Sequence, residues 1–273
     1  MAQQQSESFS EIEIFIAGAA LIVTMANVCL GIYLTTKYRM TKIIDKIHEL
    51  SLKRMEIKQN IQNNRINKNY AIDNNSETRK KKCENKSNHL YSKLSDIQLQ
   101  IKHLLLEALN IKYIKLTQSQ YRLLADCCEE YFYYSTAESL WLKVFSKKFL
   151  IPEMESEYHR RYAQFLYEIH KEEKAIMQFE YALTLSNSND GCALINMKTC
   201  EAWLVCIYKK IKKDRGKNIH VDKVSPFYYY DFAKYVHELG LNSLRYIKNQ
   251  ETRNNCYSEL EDIFNRIMHI KNL

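Results

Sequence analysis

The longest apolar segment lies near the N-terminus, where residues 14–36 carry no charged side chain. As an α-helix rising about 1.5 Å per residue, the stretch from Ile14 to Leu34 spans roughly 31 Å, close to the ~30 Å hydrocarbon core of a bilayer. Ten residues of this stretch are Ile, Leu, Val or Phe, and each favours insertion by about 0.3–0.6 kcal/mol near the bilayer centre. The pattern predicts a transmembrane helix over residues 14–36.

The charges that flank this segment predict its orientation. Residues 1–13 contain three Glu and no Lys or Arg, whereas Lys37, Arg39, Lys42 and Lys46 follow the apolar run. Positive charge is retained on the cytoplasmic side, so we expect a lumenal N-terminus and a cytosolic remainder. A cleaved signal peptide and a buried helix are the alternatives. The segment has no basic n-region, and its apolar run exceeds the roughly 7–15 residues of a signal-peptide h-region.

Residues 37–89 form a basic stretch after the apolar segment. Between Lys37 and Lys86 there are 14 Lys or Arg and 6 Asp or Glu, a difference of +8 that equals the net charge of the chain. Apolar positions between 40 and 61 predict a juxtamembrane helix, and the Asn-, Lys- and Ser-rich residues 59–89 predict a disordered linker. The stretch fits attraction to anionic lipid, with a solvated linker as the alternative. The nearly neutral remainder predicts no nucleic-acid partner.

The rest of the chain has the pattern of an all-α protein, since the whole sequence holds only five Gly and two Pro. An amphipathic helix from Leu90 opens a predicted helical domain over residues 90–273. Within it, small and aromatic residues recur 38 positions apart, as Ala125 and Ala163, Ala137 and Ala175, Trp141 and Phe179, and Val144 and Ala182. This spacing indicates repeated helix–turn–helix units, and a helical bundle with coincidental spacing is the alternative.

These units resemble the tetratricopeptide repeat, whose A-x3-F tail matches Ala175 and Phe179, with Asn187 in place of the usual Pro. We predict an α-solenoid with units at residues 118–151, 156–189 and 193–247 and a capping helix at 255–270. Its concave face would carry one set of candidate protein-binding residues, namely Arg122, Asp126, Glu129, Arg160, Gln164 and Tyr167. Ordinary solvated surface is the alternative reading of these six. An Asp at 126 would repel a peptide carboxylate, so docking of chaperone C-termini is not expected.

Motifs for chemistry are missing from the sequence. There is no Gly-rich phosphate loop, GxSxG or HExxH, and the eight Cys form no CxxC. Cys127 and Cys128 adjoin Glu129 and Glu130, whose negative charge raises a thiol pKa and opposes activation. We therefore expect no enzyme activity, no metal, no cofactor and no small-molecule substrate. Cysteines on apolar helix faces fit a reducing compartment.

The order of parts from about Gln98 onward resembles subunit 2 of the ER membrane protein complex. The similar runs are YRLLADCCEEYFYYSTAESLWLKVF, YHRRYAQFLYEIHKEEKAIMQFEYALTLSNSN, ALINMKTCEAWLVCIYKK, DFAKYVHELGLNSLRYI and SELEDIFNRI. The resemblance implies a non-catalytic cytosolic scaffold that holds other subunits of an insertase at the ER membrane. Members of that family are peripheral, so the apolar helix would be an addition. The alternatives are a mitochondrial outer-membrane receptor and a lipid or RNA tether acting through the basic stretch.

Overall fold

A computed structural model of the chain describes residues 2–73, 76–112, 114–185, 190–215 and 226–271. Within these ranges the fold is all-helical, which confirms the predicted class. Nine helices follow one another: α1 (Ala2–Asp73), α2 (Glu77–Asn110), α3 (Gln118–Glu130), α4 (Tyr134–Phe145), α5 (Pro152–Glu168), α6 (Glu172–Thr184), α7 (Asp190–Arg215), α8 (Pro226–Leu244) and α9 (Gln250–Lys271). They form two compact units, Met1–Ser146 and Lys147–Leu273. The boundary between the two units lies between the first and second predicted repeats, within the range 90–273 that was predicted as one helical domain.

Helices α1 and α2 form an antiparallel hairpin in the first unit. Arg39 pairs with Glu107 at 2.7 Å at one end, and Lys68 pairs with Glu84 at 3.0 Å at the other. The buried side chains of α1 follow intervals of three and four residues, a heptad-like pattern that suits two packed helices. They are Met40, Ile43, Ile44, Ile47, Leu50, Ile61 and Asn64, and the half-buried Arg54 and Ile57 continue the interval between Leu50 and Ile61.

The disordered linker predicted over residues 59–89 is wrong. Helix α1 continues to Asp73, and α2 begins at Glu77 rather than at Leu90. Within this segment Ile61 is buried, at 7% exposed, as is Leu90 directly after it, at 9%, whereas Ile66 and Ile72 stay exposed. Low hydrophobicity therefore did not prevent folding, because the heptad-like intervals place Ile61 and Leu90 in one seam.

The hairpin leaves the apolar part of α1 without a neighbour. From Ala19 to Thr35 every side chain is exposed, and burial begins at Met40. Among the residues searched, one helix is long and apolar enough to cross a membrane, and none of its apolar window is buried. The segment predicted to span a bilayer is thus exposed, and the paired part of α1 starts directly after it.

Helices α3 and α4 pack on the hairpin through the C-terminal end of α3. Arg54 of α1, whose side chain is 13% exposed, forms an ion pair with Glu130. The Tyr131 hydroxyl donates to the Gln98 carbonyl oxygen of α2 at 2.5 Å. A nearly buried guanidinium needs such a partner, because an unpaired buried charge is strongly unfavourable.

The second unit packs the pair α5–α6 against α7, and the pair α7–α8 against α9. Phe179 of α6 stacks on the fully buried Trp203 of α7 with ring centroids 5.0 Å apart. A Cβ added to Gly240 of α8 would lie 2.8 Å from Leu260 of α9 and 3.3 Å from Cys200 of α7, so three helices meet there. The range predicted for the third unit covers most of α7 and all of α8, and the predicted cap lies in α9. Residues 216–225, between α7 and α8, lie outside the described residues.

Candidate functional site: recurring helix pairs and two basic ends

The turn between α3 and α4 recurs 38 residues later between α5 and α6. Phe132 and His170 both adopt a left-handed backbone conformation with φ of 62°. The next residue in each turn, Tyr133 or Lys171, donates its N–H to the carbonyl of Cys128 or Leu166, at 2.8 and 2.9 Å. Both turns also close through the N–H of the left-handed residue, which gives the Schellman pattern of a helix C-terminus. The two helix pairs thus share their turn geometry.

The ends of each pair are joined by equivalent side-chain hydrogen bonds. The Gln118 amide donates to the Val144 carbonyl at 3.1 Å, and the Ser156 hydroxyl donates to the Ala182 carbonyl at 2.7 Å. Donors and acceptors are again 38 residues apart. The seven positions predicted to pack the repeats are all fully buried: Ala125, Ala137, Trp141, Ala163, Ala175, Phe179 and Ala182. These observations describe each pair by itself.

Three of the six candidate protein-binding residues belong to the first unit. Arg122 and Asp126 are half-buried and form an i,i+4 ion pair at 3.7 Å on α3. Glu129 accepts a hydrogen bond of 2.7 Å from the indole nitrogen of the buried Trp141. Because that donor would otherwise be buried without a partner, Glu129 has a packing role in the α3–α4 pair.

The other three candidates belong to the second unit. Arg160 and Gln164 are half-buried on α5, and Gln164 accepts a hydrogen bond from Arg161 at 3.3 Å. Tyr167 is 6% exposed, and burial, with the Glu172 carboxylate nearby, raises its pKa above the ordinary value. Tyr167 therefore lies in the interior, whereas Arg160 and Gln164 remain accessible from solvent.

A polar cluster ties α6 to α7 and α8 beside Tyr167. Glu172 pairs with Lys210 at 2.6 Å and accepts a hydrogen bond from the Tyr229 hydroxyl at 3.0 Å. Burial alone would lower the pKa of Lys210, but the carboxylates of Glu172 and Asp214 outweigh it and raise that pKa. The cluster keeps Lys210 charged and satisfies three polar groups at one helix junction.

His159 joins α5 to α6 in the same unit. Its Nδ1 lies 2.6 Å from the Gln178 side-chain oxygen, and its ring packs edge-on against Tyr181 with centroids 4.4 Å apart. Burial lowers the pKa of His159, and this outweighs Gln178 and Glu155, which raise it. The ring is thus held in its neutral form.

The adjacent cysteines of α3 are buried side chains. Burial raises the pKa of Cys127 and of Cys128 to about 12, with smaller contributions from neighbouring charges. Thiols with such pKa values stay protonated at neutral pH and are poor nucleophiles. No group of His, Cys, Asp and Glu with the arrangement of a metal site occurs among the residues searched.

The basic stretch from Lys37 to Lys86 is divided between two ends of the hairpin. Lys37, Arg39 and Lys42 lie beside the apolar segment, whereas Arg79, Lys80, Lys81 and Lys82 lie in the first turns of α2, next to the end of α1. From Thr36 to Asp73 the helix rises roughly 55 Å at about 1.5 Å per residue. Basic residues therefore lie at both ends of a rod and not in one juxtamembrane patch. Those between the ends pair with carboxylates, Lys46 and Lys53 with Glu49, and Arg54 and Lys58 with Glu130.

Sequence reasoning missed the residues that build this rod. Asn64, 3% exposed, donates from its amide to the Cys83 carbonyl at 2.7 Å and to the Ser87 hydroxyl at 2.8 Å. The signal that could have found it is the continued interval of Ile57, Ile61 and Asn64, which keeps the same seam. A buried Asn in such a seam fixes the register of two helices.

Comparisons of the chain with protein-family models, curated proteins and solved structures found no match. In the part of the chain that the structure describes, the fold is all-helical, and one exposed apolar helix is long enough to cross a membrane.

Proposed function

We propose that this chain is a single-pass membrane scaffold without catalytic activity, whose helix pairs hold other proteins of a membrane complex. The observation that supports the proposal is the course of α1. Its apolar segment is exposed from Ala19 to Thr35, and the same helix then continues into the hairpin that carries α3 and α4. An exposed apolar surface of this length costs free energy in water and is stabilised by a bilayer.

The charge distribution supports a cytosolic location for the scaffold. Three Glu precede the apolar segment and four basic residues follow it closely, so the positive-inside rule favours a cytosolic hairpin. Protease protection in sealed microsomes tests this orientation. An epitope at the N-terminus should be protected and one at the C-terminus digested. Glycosylation of Asn85, the acceptor within Asn85–Ser87, would overturn the assignment.

The ER membrane is the proposed location, with a role like that of subunit 2 of the ER membrane protein complex. The support is the resemblance of the runs between residues 121 and 267, together with the recurring helix pairs. Affinity purification of the tagged full chain in mild detergent should recover subunits of an insertase. A chain purified alone, or one imaged at the mitochondrial outer membrane, would contradict the location and the partner.

Binding is proposed at the accessible candidates on α5. The variant Arg160→Ala with Gln164→Ala should lower recovery of the partner, because both side chains lie on the first helix of a pair. The matched control is Glu173→Ala with Lys174→Ala, two exposed residues of α6. Equal loss in both variants would point to general destabilisation instead of a binding face.

A further inference from the structure

The end of the hairpin that lies away from the apolar segment carries exposed cations. Arg65, Arg79, Lys81, Lys82 and Lys86 are all exposed, and none has a carboxylate within 4.0 Å in the described part of the chain. The nearby acidic groups are already engaged, since Glu84 pairs with Lys68 and Glu77 with Lys80. We call these five residues the basic tip.

The cations of the basic tip are spread around the end of the hairpin and do not line a single face. Residues 79–82 are consecutive in the first turns of α2, and at about 100° per residue they surround the helix. A linear partner lying along one face could contact only one or two of them. A broad anionic surface that meets the hairpin end-on can attract Arg79, Lys81 and Lys82 together, because long Lys and Arg side chains extend towards the interface. Lys80 already pairs with Glu77.

Apolar side chains accompany the cations. Ile66 and Ile72 are each 48% exposed and Tyr91 is 50% exposed, and all three line one groove with Arg65. Basic residues beside exposed Ile and Tyr are the combination that enters the headgroup region of an anionic bilayer. A phosphate backbone would use the cations but not the isoleucines.

Distance prevents this tip from acting on the membrane that holds the apolar segment. The tip begins roughly 44 Å along α1 from Thr36, at Arg65, and ends near 55 Å, and the attraction of an anionic bilayer falls off within a Debye length of about 8 Å. A spanning helix tilts by about 20° on average, which shortens the separation by only a few ångströms. The basic tip therefore faces away from its own bilayer.

We propose that the basic tip docks on a second anionic membrane, so that the chain bridges two bilayers. This inference rests on α1 spanning a membrane as proposed above, but it does not require a protein partner. Each cation near an anionic surface contributes roughly a fivefold increase in affinity. Loss of three cations should then weaken docking by about a hundredfold.

The test uses the full chain in phosphatidylcholine proteoliposomes, mixed with labelled vesicles that contain phosphatidylserine. A separate first measurement tests the membrane anchor. The chain should resist extraction from the proteoliposomes at alkaline pH. Wild-type proteoliposomes should capture phosphatidylserine vesicles and leave phosphatidylcholine vesicles free. The variant Arg79→Gln/Lys81→Gln/Lys82→Gln should lose capture, whereas Lys93→Gln/Lys102→Gln/Lys112→Gln, with the same change in charge on exposed positions, should retain it.

Three results would overturn the proposal. The first is equal capture by the tip variant and the control variant, with helix content unchanged by circular dichroism. The second is loss of capture when phosphatidylserine is placed in the anchoring bilayer, since the tip would then bind its own membrane. The third is tip-dependent retention of an RNA oligonucleotide by proteoliposomes that capture no vesicles, which would assign the tip to nucleic acid.

Discussion

Gly240 gives the sharpest test of the packing between α8 and α9. An added Cβ would lie 2.8 Å from Leu260 Cδ2 and 3.1 Å from Leu260 Cδ1, and Leu260 is fully buried. Overpacking of a core costs about 1–3 kcal/mol, while Ala gains up to about 1 kcal/mol over Gly in helix propensity. We expect Gly240→Ala to lower the local free energy of unfolding by roughly 0–2 kcal/mol, and Gly240→Val by about 3 kcal/mol.

The measurement is amide hydrogen exchange over peptides of α7, α8 and α9 in the full chain. Local exchange is preferable to a melting temperature, because a chain of two units need not unfold in a single step. The matched control is Gly31→Ala, where an added Cβ meets no atom within 4 Å. The control should leave exchange in α7–α9 unchanged.

A second variant tests whether steric overlap with Leu260 causes the effect of Gly240→Ala. Leu260→Val removes both Cδ atoms that Gly240→Ala would crowd. Contacting residues couple energetically, so the double variant should be less destabilised than the sum of the two single variants. If Gly240→Ala stabilises α8, or if the double variant is simply additive, the close approach of the three helices described here is refuted.

Three further predictions concern single residues. Asn64→Ala should remove two hydrogen bonds across the hairpin and cost about 2 kcal/mol, seen as faster amide exchange in residues 59–89, and unchanged protection there would contradict the hairpin. Phe132→Gly should stabilise the α3–α4 turn by about 1 kcal/mol, because the left-handed conformation is unfavourable for a side chain with a Cβ; exchange at the end of α3 measures it, with exposed Leu142→Gly as the destabilising control. Burial lowers the pKa of His159, so the unfolded state binds more protons below about pH 6.5 and stability should fall as the pH is lowered through this window. His159→Gln should flatten that dependence in denaturant titrations of the second unit, and an identical pH profile would exclude this histidine as its source.

The all-helical class and the positions of α3 to α6 were predictable, because the local signals agree. Gly and Pro are scarce, and small residues recur every 38 positions where paired helices cross. The turns were harder to derive, since their left-handed positions hold Phe132 and His170 instead of the Gly that usually marks a helix end. Their equivalence became visible only from the matching φ angles and hydrogen bonds.

The hairpin was not predicted, since a helix was expected only to residue 61 and a disordered linker after it, and the reason is compositional. An Asn- and Lys-rich segment reads as disordered when its average hydrophobicity is considered. Tertiary pairing overrides the average, since Ile61, Asn64 and Leu90 need only fall on one seam to be buried. The prediction of a binding face was likewise incomplete, because the spacing of the repeats does not show which side chains pack inside the domain. Glu129 bonds to Trp141 and Tyr167 lies in the interior, and neither role can be read from spacing.

The unbroken course of α1 makes the apolar segment and the hairpin a single lever, if that segment spans a bilayer as proposed. A rod of roughly 55 Å that pivots by about 20° at the membrane surface moves its far end by nearly 20 Å. Changes in bilayer thickness that alter the tilt of the spanning segment would consequently be magnified at the opposite end.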